Sequence, residues 1–85
     1  MSIKWDEFKA QFPVGKVFKC EVVRHEVYGM YVSTGYSFDA IVPGTELPEV
    51  GADSVFPKIG KTIDVKVLGY REHAHQLWLT MNLDE

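Results

Sequence analysis

Two tyrosines, Tyr28 and Tyr31, stand around Gly29 in the stretch "VYGMYVS", and a tryptophan, Trp78, follows much later in "QLWLTM". Each of these side chains has a flat ring that can stack on a planar ligand, and every nucleobase offers a flat face of that kind. Aromatic rings in strands also cover hydrophobic cores and leave a tyrosine hydroxyl at the surface. The residues alone therefore leave two roles open, the packing of a half-buried hairpin or a platform for stacking.

Three histidines invite a metal-binding interpretation. His73 and His75 stand two residues apart in the polar segment "REHAH", and His25 comes from another part of the chain. A structural zinc ion requires four ligands, usually including thiolates, and the single cysteine, Cys20, is predicted to face inward. The ligand count therefore predicts no metal site.

Catalytic motifs give no signal either. The sequence has no glycine-rich phosphate loop, no nucleophile-elbow serine and no Cys/His pair that its spacing brings together. The adjacent carboxylates Asp6 and Glu7 fall on a predicted helix surface, and Asp84 and Glu85 fall in the last residues of the sequence. We therefore expect a protein that is not an enzyme and that uses no cofactor.

The composition is that of one small globular domain. The 85 residues are 46% hydrophobic and 25% charged, which bounds the chain to a single compact core. One cysteine cannot form an intramolecular disulfide, and a lone thiol is typical of a reducing cytoplasm. The start "MSIKWDEFKA" carries charges throughout, so it predicts neither a signal peptide nor a membrane span. We expect a cytoplasmic protein with no membrane partner.

The net charge of −3 limits how this chain could bind nucleic acid. Phosphate neutralisation by a basic face supplies most of the affinity of ordinary nucleic-acid binders. Residues 13–82 hold seven Lys/Arg and eight Asp/Glu, a net of −1, so the central part of the chain is nearly neutral. Binding of nucleic acid by this chain would depend on stacking more than on charge.

A short amphipathic helix is predicted at the start of the chain. Trp5, Phe8 and Phe12 recur at helical spacing, Ser2 is placed to cap the first turn, and Pro13 ends the segment. This apolar stripe either packs on the rest of the domain or docks a partner chain.

After this helix the period changes to two, and five short strands are predicted. Their sequences are "KVFKCEVVRH", "VYGMYVS", residues 38–42, "KTIDVKVLGY" and "QLWLTM". Gly29 suggests a bulge or a sharp bend inside the second strand. Alternation places Leu68 and Trp78 on outward faces. The long connection "GTELPEVGADSVFPKIG" predicts no sustained element beyond one short helical turn. Five strands with this long link suit a small Greek-key barrel, because closure removes exposed strand edges.

In their order and spacing, several of these stretches resemble the S1 RNA-binding domain family. The resemblance rests on "PVGKVFKCEVVRHEVYGMYVSTG", "AIVPGTEL", "KIGKTIDVKVL" and "QLWLTMN". It implies an all-β, five-stranded Greek-key OB-fold barrel with a short N-terminal α-helix. The implied division is a helix over residues 1–12 and an S1-like OB-fold domain over residues 13–85.

The resemblance also implies where a ligand would bind. The family's two stacking aromatics fall on Tyr28 and Tyr31, on the outer face of the barrel. Pro43 stands where the family usually has histidine, and Gln76 stands where it usually has a basic residue, so positive charge is lost while Trp78 adds a ring. The predicted RNA contacts are Tyr28, Tyr31, Trp78, Gln76, Lys19, Lys66 and Arg71.

Two functions remain open at this point. The first is single-stranded RNA binding by base stacking, weak and low in sequence specificity, in translation or RNA metabolism, with a ribosome, a nuclease or another protein as a further partner. The second is a protein-interaction module of S1-like fold whose RNA binding is lost or weakened. Its anchor would be the helix face formed by Trp5, Phe8 and Phe12, or the Tyr/Trp patch.

Overall fold

One α-helix and five strands make up the computed structural model, which describes residues 3–46 and 57–83. The helix α1 spans Trp5–Gln11. The strands are β1 (Val17–Glu26), β2 (Gly29–Ser33), β3 (Asp39–Pro43), β4 (Thr62–Arg71) and β5 (Gln76–Thr80), and a single 3-10 turn, Gly44–Glu46, follows β3. The second strand thus begins two residues later than the sequence predicts. The rest of the predicted connection, up to residue 56, lies outside the described residues.

The strands close into a barrel in the order β1-β2-β3-β5-β4, with β4 pairing back onto β1. All neighbouring strands are antiparallel except β3 and β5, which are parallel. A closed sheet has no free edge to template pairing with another chain. This order and closure confirm the predicted five-stranded Greek-key OB-fold barrel with its short N-terminal helix.

The barrel interior is filled by alternate residues of each strand. These fully or nearly fully buried side chains are Cys20, Val22, Met30, Val32, Ala40, Val42, Ile63, Val65, Val67, Leu77 and Leu79. The inward position predicted for Cys20 is therefore confirmed. Burial raises the pKa of the Cys20 thiol to about 12, so it stays protonated and behaves as a small apolar core residue.

The helix packs onto this core and completes it. Phe8 is fully buried, Phe12 is 7% exposed, and both belong to the same core cluster as the inward strand residues. Their rings contact those of Phe18, Tyr36 and Phe38. Helix α1 begins after Lys4, which makes no side-chain capping hydrogen bond. The predicted cap, Ser2, lies outside the described residues.

Two bulges change which side chains face outward. In β1 the register with β2 shifts between Val22 and Arg24, and in β4 the register with β5 shifts between Val67 and Gly69. One extra residue in a strand moves every later side chain to the other face. Arg24 and Gly69 consequently lie on the outer wall, and Leu68 is a half-buried extra residue instead of a regular outward one.

Of the bulge or sharp bend predicted at Gly29, the structure shows no bulge. Gly29 pairs regularly with Glu26 on one side and Pro43 on the other. What requires glycine here is the close approach of β3, because a Cβ would collide with the Val42 carbonyl and lie 2.8 Å from the Pro43 Cα. Within the described residues, no helix is both long and apolar enough to span a bilayer.

Candidate nucleic-acid interface

A continuous row of side chains crosses the outer wall from strand to strand. In register, the row runs Arg24 (β1), Tyr31 (β2), Ile41 (β3), Trp78 (β5) and Gly69 (β4). Directly paired residues project from the same face of a sheet, and the neighbours of Tyr31 along β2 point into the core. The aromatic wall comprises this row's Arg24, Tyr31 and Trp78 together with Tyr28, Arg71 and Gln76.

Tyr31 lies at the centre of the wall but is covered. Only 8% of it is exposed. The guanidinium carbon of Arg24 lies 4.2 Å from the centre of its ring, and the Tyr28 hydroxyl lies 3.0 Å from its hydroxyl. The expectation that Tyr31 offers an open ring face is therefore wrong, because a cation already occupies that position.

Tyr28 is the open tyrosine of the pair. Tyr28 precedes β2 in the tight turn after β1 and is 55% exposed. It meets Tyr31 edge-on, with ring centres 6.4 Å apart and planes at 80°. The hydrogen bond with Tyr31, then desolvation and Glu26, raise the pKa of Tyr28. The hydroxyl therefore stays neutral, and it can donate to a phosphate or sugar oxygen.

Trp78 occupies the other half of the wall. It is half-buried, and the guanidinium carbon of Arg71 lies 5.3 Å from the centre of its ring. Ile41, between Tyr31 and Trp78 in the row, is completely buried although it projects outward. Ile41 therefore adds no exposed surface between the two rings. Beyond Trp78 the row ends at Gly69, which has no side chain.

Gln76 links the two halves of the wall by hydrogen bonds. Its Nε2 donates to the Tyr31 hydroxyl at 3.5 Å, and its Oε1 accepts from the Arg71 Nη1 at 3.3 Å. Arginine can only donate, so the amide orientation of Gln76 is fixed by Arg71. Five of the seven predicted contacts are thus brought together: Tyr28, Tyr31, Trp78, Gln76 and Arg71.

The two predicted lysines are placed differently. Lys66 is in register with Thr80, two residues along β5 from Trp78, and its ammonium donates to the Leu83 carbonyl at 3.3 Å. Lys19 lies on the pair β1–β4, where it forms an ion pair with Asp64 at 2.9 Å. Lys66 therefore borders the aromatic wall, whereas Lys19 does not belong to it. Phosphate contact by either lysine stays a prediction.

The predicted contact set does not include Arg24. Simple alternation from Val22 places Arg24 inside the barrel, and only the bulge turns it outward. The signal that could have found it is its charge, because an unpaired arginine in an apolar core is too costly to occur. An arginine at a supposed inward position therefore indicates a register change before it.

The helix does not cover the wall. The ring contacts described for Trp5 are with Phe8, Phe38, Tyr70 and His75, and its indole N–H donates to Glu72 at 2.7 Å. Among the described residues, Trp78 instead has Arg71 against its ring. In the part of the chain that the structure covers, the contacts described for the helix therefore lie at the core and at the turn between β4 and β5, and not at the Trp78 ring.

The histidines have other contacts. His75 stacks on Trp5 with ring centres 5.0 Å apart, and the His25 Nε2 lies 2.6 Å from the Pro57 carbonyl oxygen. Within residues 3–46 and 57–83, no group of three or more His, Cys, Asp and Glu side chains is arranged to hold a metal ion.

The closed five-stranded barrel, with polar and aromatic groups on its outer strands, is an OB-fold, a class that binds oligonucleotides or oligosaccharides on this face. The chain belongs to the S1 RNA-binding domain family, because the family model described as "S1 RNA binding domain" matches residues 11–81. No curated protein sequence matches it.

Solved structures share this fold at low sequence identity. GSP13 from Bacillus subtilis is 23% identical with a TM-score of 0.72, and the match covers 86% of this chain and 58% of GSP13. A chain of the a/eIF2alpha–aDim2p–rRNA complex from Pyrococcus horikoshii OT3 is 16% identical with a TM-score of 0.67, covering 81% of this chain and 44% of that one. A multidomain protein with nucleic acid binding domains from Streptococcus pneumoniae TIGR4 is 17% identical with a TM-score of 0.65, covering 94% and 28%. This chain therefore spans about a quarter to three fifths of these proteins.

Proposed function

We propose that this protein binds single-stranded RNA on the aromatic wall, weakly and with little sequence preference. The observation that carries the proposal is the row on the outer barrel face. There Tyr28, the Arg24–Tyr31 pair and the Arg71–Trp78 pair present flat groups side by side. Stacking of one base on such a group contributes about 1–3 kcal/mol, and all four bases can do it.

The two arginines of the wall support the same ligand. The sequence contains two arginines, Arg24 and Arg71, and both lie on the wall against aromatic rings. The arginines give the wall planar cationic groups, of which Arg24 is paired with Glu26. Membership of the S1 RNA-binding domain family and the structural likeness to a chain of an rRNA complex favour RNA as the nucleic acid.

A role in translation or RNA metabolism follows as the broader proposal, with the protein acting in the cytoplasm beside a ribosome or a nuclease. A domain of this size without catalytic motifs would act by holding unpaired RNA for a larger machine. Lys19 and Lys66 would add phosphate contacts at the margins.

The experiment is a titration of a fluorescently labelled, unstructured oligonucleotide, followed by anisotropy at several salt concentrations. We expect saturable binding and a slope of log K on log salt no steeper than about −1.4, which corresponds to two phosphates at −0.7 each. Trp78→Ala should weaken binding about tenfold, the loss of one base stack. The matched control is Ile59→Ala, a large exposed apolar residue outside the wall.

The alternative, a protein-interaction module, has less surface available than the sequence suggests. The helix face around Phe8 and Phe12 is buried in the protein's own core, so a partner would have to use the Tyr/Trp patch. Capture of one defined protein that survives ribonuclease and is lost in Trp78→Ala, together with no RNA binding by anisotropy, would favour this function.

A further inference from the structure

Arg24 is the residue of the aromatic wall that the predicted RNA-binding set does not explain. It stands in register with Tyr31 across β1 and β2, and its guanidinium carbon lies 4.2 Å from the centre of that ring. This distance places the guanidinium over the ring in a cation–π contact. A ligand that approaches the middle of the wall meets Arg24 before it meets Tyr31.

Glu26 holds the guanidinium in this position. Its Oε2 lies 2.7 Å from the Arg24 Nε, two residues along the same strand. The ion pair and the ring contact act on the same planar group from different sides. Moving Arg24 away would lose both interactions and would uncover Tyr31, which is only 8% exposed. The side chain of Arg24 is itself 58% exposed, so its position is fixed while it stays open to solvent.

We propose that the Arg24 guanidinium is the central base-stacking surface of the wall, with Tyr31 as its support and Glu26 as a positioning residue. Unpaired RNA bases stack on arginine planes as they do on aromatic rings. The Arg24–Glu26 pair is neutral as a unit, which favours stacking on a base over binding of a phosphate group. The inference rests on the proposed RNA binding and assigns one of its contacts.

Two substitutions separate the plane of Arg24 from its charge. Arg24→Lys keeps the positive charge but loses the planar guanidinium group. Arg24→Met loses both the charge and the planar group. We expect Arg24→Lys to weaken binding of an unstructured oligoadenylate about tenfold, as Arg24→Met does, with the salt slope of Arg24→Lys unchanged. Lys61→Met, which removes an exposed cation next to the start of β4, is the charge control and should bind within twofold of wild type.

Two outcomes would overturn the assignment of Arg24. Wild-type affinity in Arg24→Lys would mean that only its charge matters, and tighter binding by Arg24→Met would mean that Arg24 covers Tyr31 and must leave. Trp78→Ala is measured in parallel, so RNA binding that depends on Trp78 but not on the Arg24 plane would refute this inference and leave the proposed function intact. A wild-type protein that does not bind would refute both.

A spectroscopic test follows Arg24 in the wild-type protein and uses a substitution only to assign the signals. Since the chain has two arginines, the arginine Nε–Hε region of a ¹⁵N–¹H spectrum contains two signals, and Arg24→Lys assigns them. Stacked adenines should shift the Arg24 signal by their ring current. An Arg24 signal that stays in place at saturating RNA, while the Trp78 indole signal moves, would contradict the inference.

Discussion

Gly69 stands in register opposite Trp78 across β4 and β5, at the end of the outer row, and a Cβ at Gly69 would meet no heavy atom within 4 Å. The space beside the tryptophan ring is therefore left open by the sequence itself. A base that stacks at Trp78 can spread over this glycine without meeting a side chain.

Filling this space gives the first prediction. Gly69→Leu should leave the melting temperature nearly unchanged, because the new side chain enters open space and Gly69 has no left-handed backbone angle. RNA affinity should fall several-fold, since the leucine occupies the place of a base beside Trp78. Anisotropy titration checks the affinity, and unchanged binding would show that no base uses this side of the ring.

The second prediction concerns the other glycine of the barrel wall. Gly29→Ala should destabilise the domain by about 3 kcal/mol, the upper part of the range for overpacking, because the atoms that meet the new methyl belong to the backbone of β3. Urea unfolding measures the change, with Gly69→Ala as the matched control that should cost little. Equal stability of the two variants would contradict the close approach of β2 and β3.

Tyr28 is predicted to act through its ring. Tyr28→Ala should weaken RNA binding about tenfold, and Tyr28→Phe should retain most of the affinity, because the phenyl ring keeps the exposed stacking face. Neither change should lower the melting temperature much, as Tyr28 is 55% exposed. A phenylalanine variant as weak as the alanine variant would assign the contact to the hydroxyl instead.

The contact between the helix and the β4–β5 turn should depend on pH. Hydrogen bonds from Lys9 and then from Trp5 lower the pKa of Glu72, and Glu72 in turn raises the pKa of Lys9. A carboxyl whose folded pKa is lowered stabilises the fold above its ordinary value of 4.5, and this contribution is lost as the pH falls through the lowered pKa. The raised pKa of Lys9 works the other way, since its contribution is lost only as the pH rises above 10.5.

The measurement compares the melting temperatures of wild type and Glu72→Gln across pH. Wild type should melt higher at neutral pH, and the difference should shrink below about pH 4.5 until it vanishes in acid. Glu21→Gln, which replaces an exposed carboxylate on β1, is the control. A Glu72→Gln difference that stays constant with pH would mean that Glu72 does not hold the helix by its charge.

The fold followed from the sequence because its signals are local and repeated. Alternation at Ile63, Val65 and Val67 fixes one buried face of β4, and the stripe at Phe8 and Phe12 fixes the buried face of α1. Each pattern is recognised from apolar residues that recur every two positions in a strand or every 3.6 positions in a helix. It can therefore be identified without knowing which elements pack against that strand or helix.

The details of the wall did not follow from periodicity. The bulges at Val23 and Leu68 each add one residue to a strand, and no repeated pattern in the sequence predicts them. They decide that Arg24 faces outward and that Gly69 lies opposite Trp78. The burial of Tyr31 follows from Arg24, so it too required the paired strands.

The central claim is that RNA binds at the aromatic wall, and the two tryptophans test it in one spectrum. The indole N–H of Trp5 is bonded to Glu72 at the helix, whereas Trp78 lies on the wall against Arg71. Titration of uniformly ¹⁵N-labelled protein with an unstructured oligoadenylate should shift the Trp78 indole signal to saturation and leave that of Trp5 in place. Movement of the Trp5 signal alone, or of neither signal at millimolar RNA, would contradict the account.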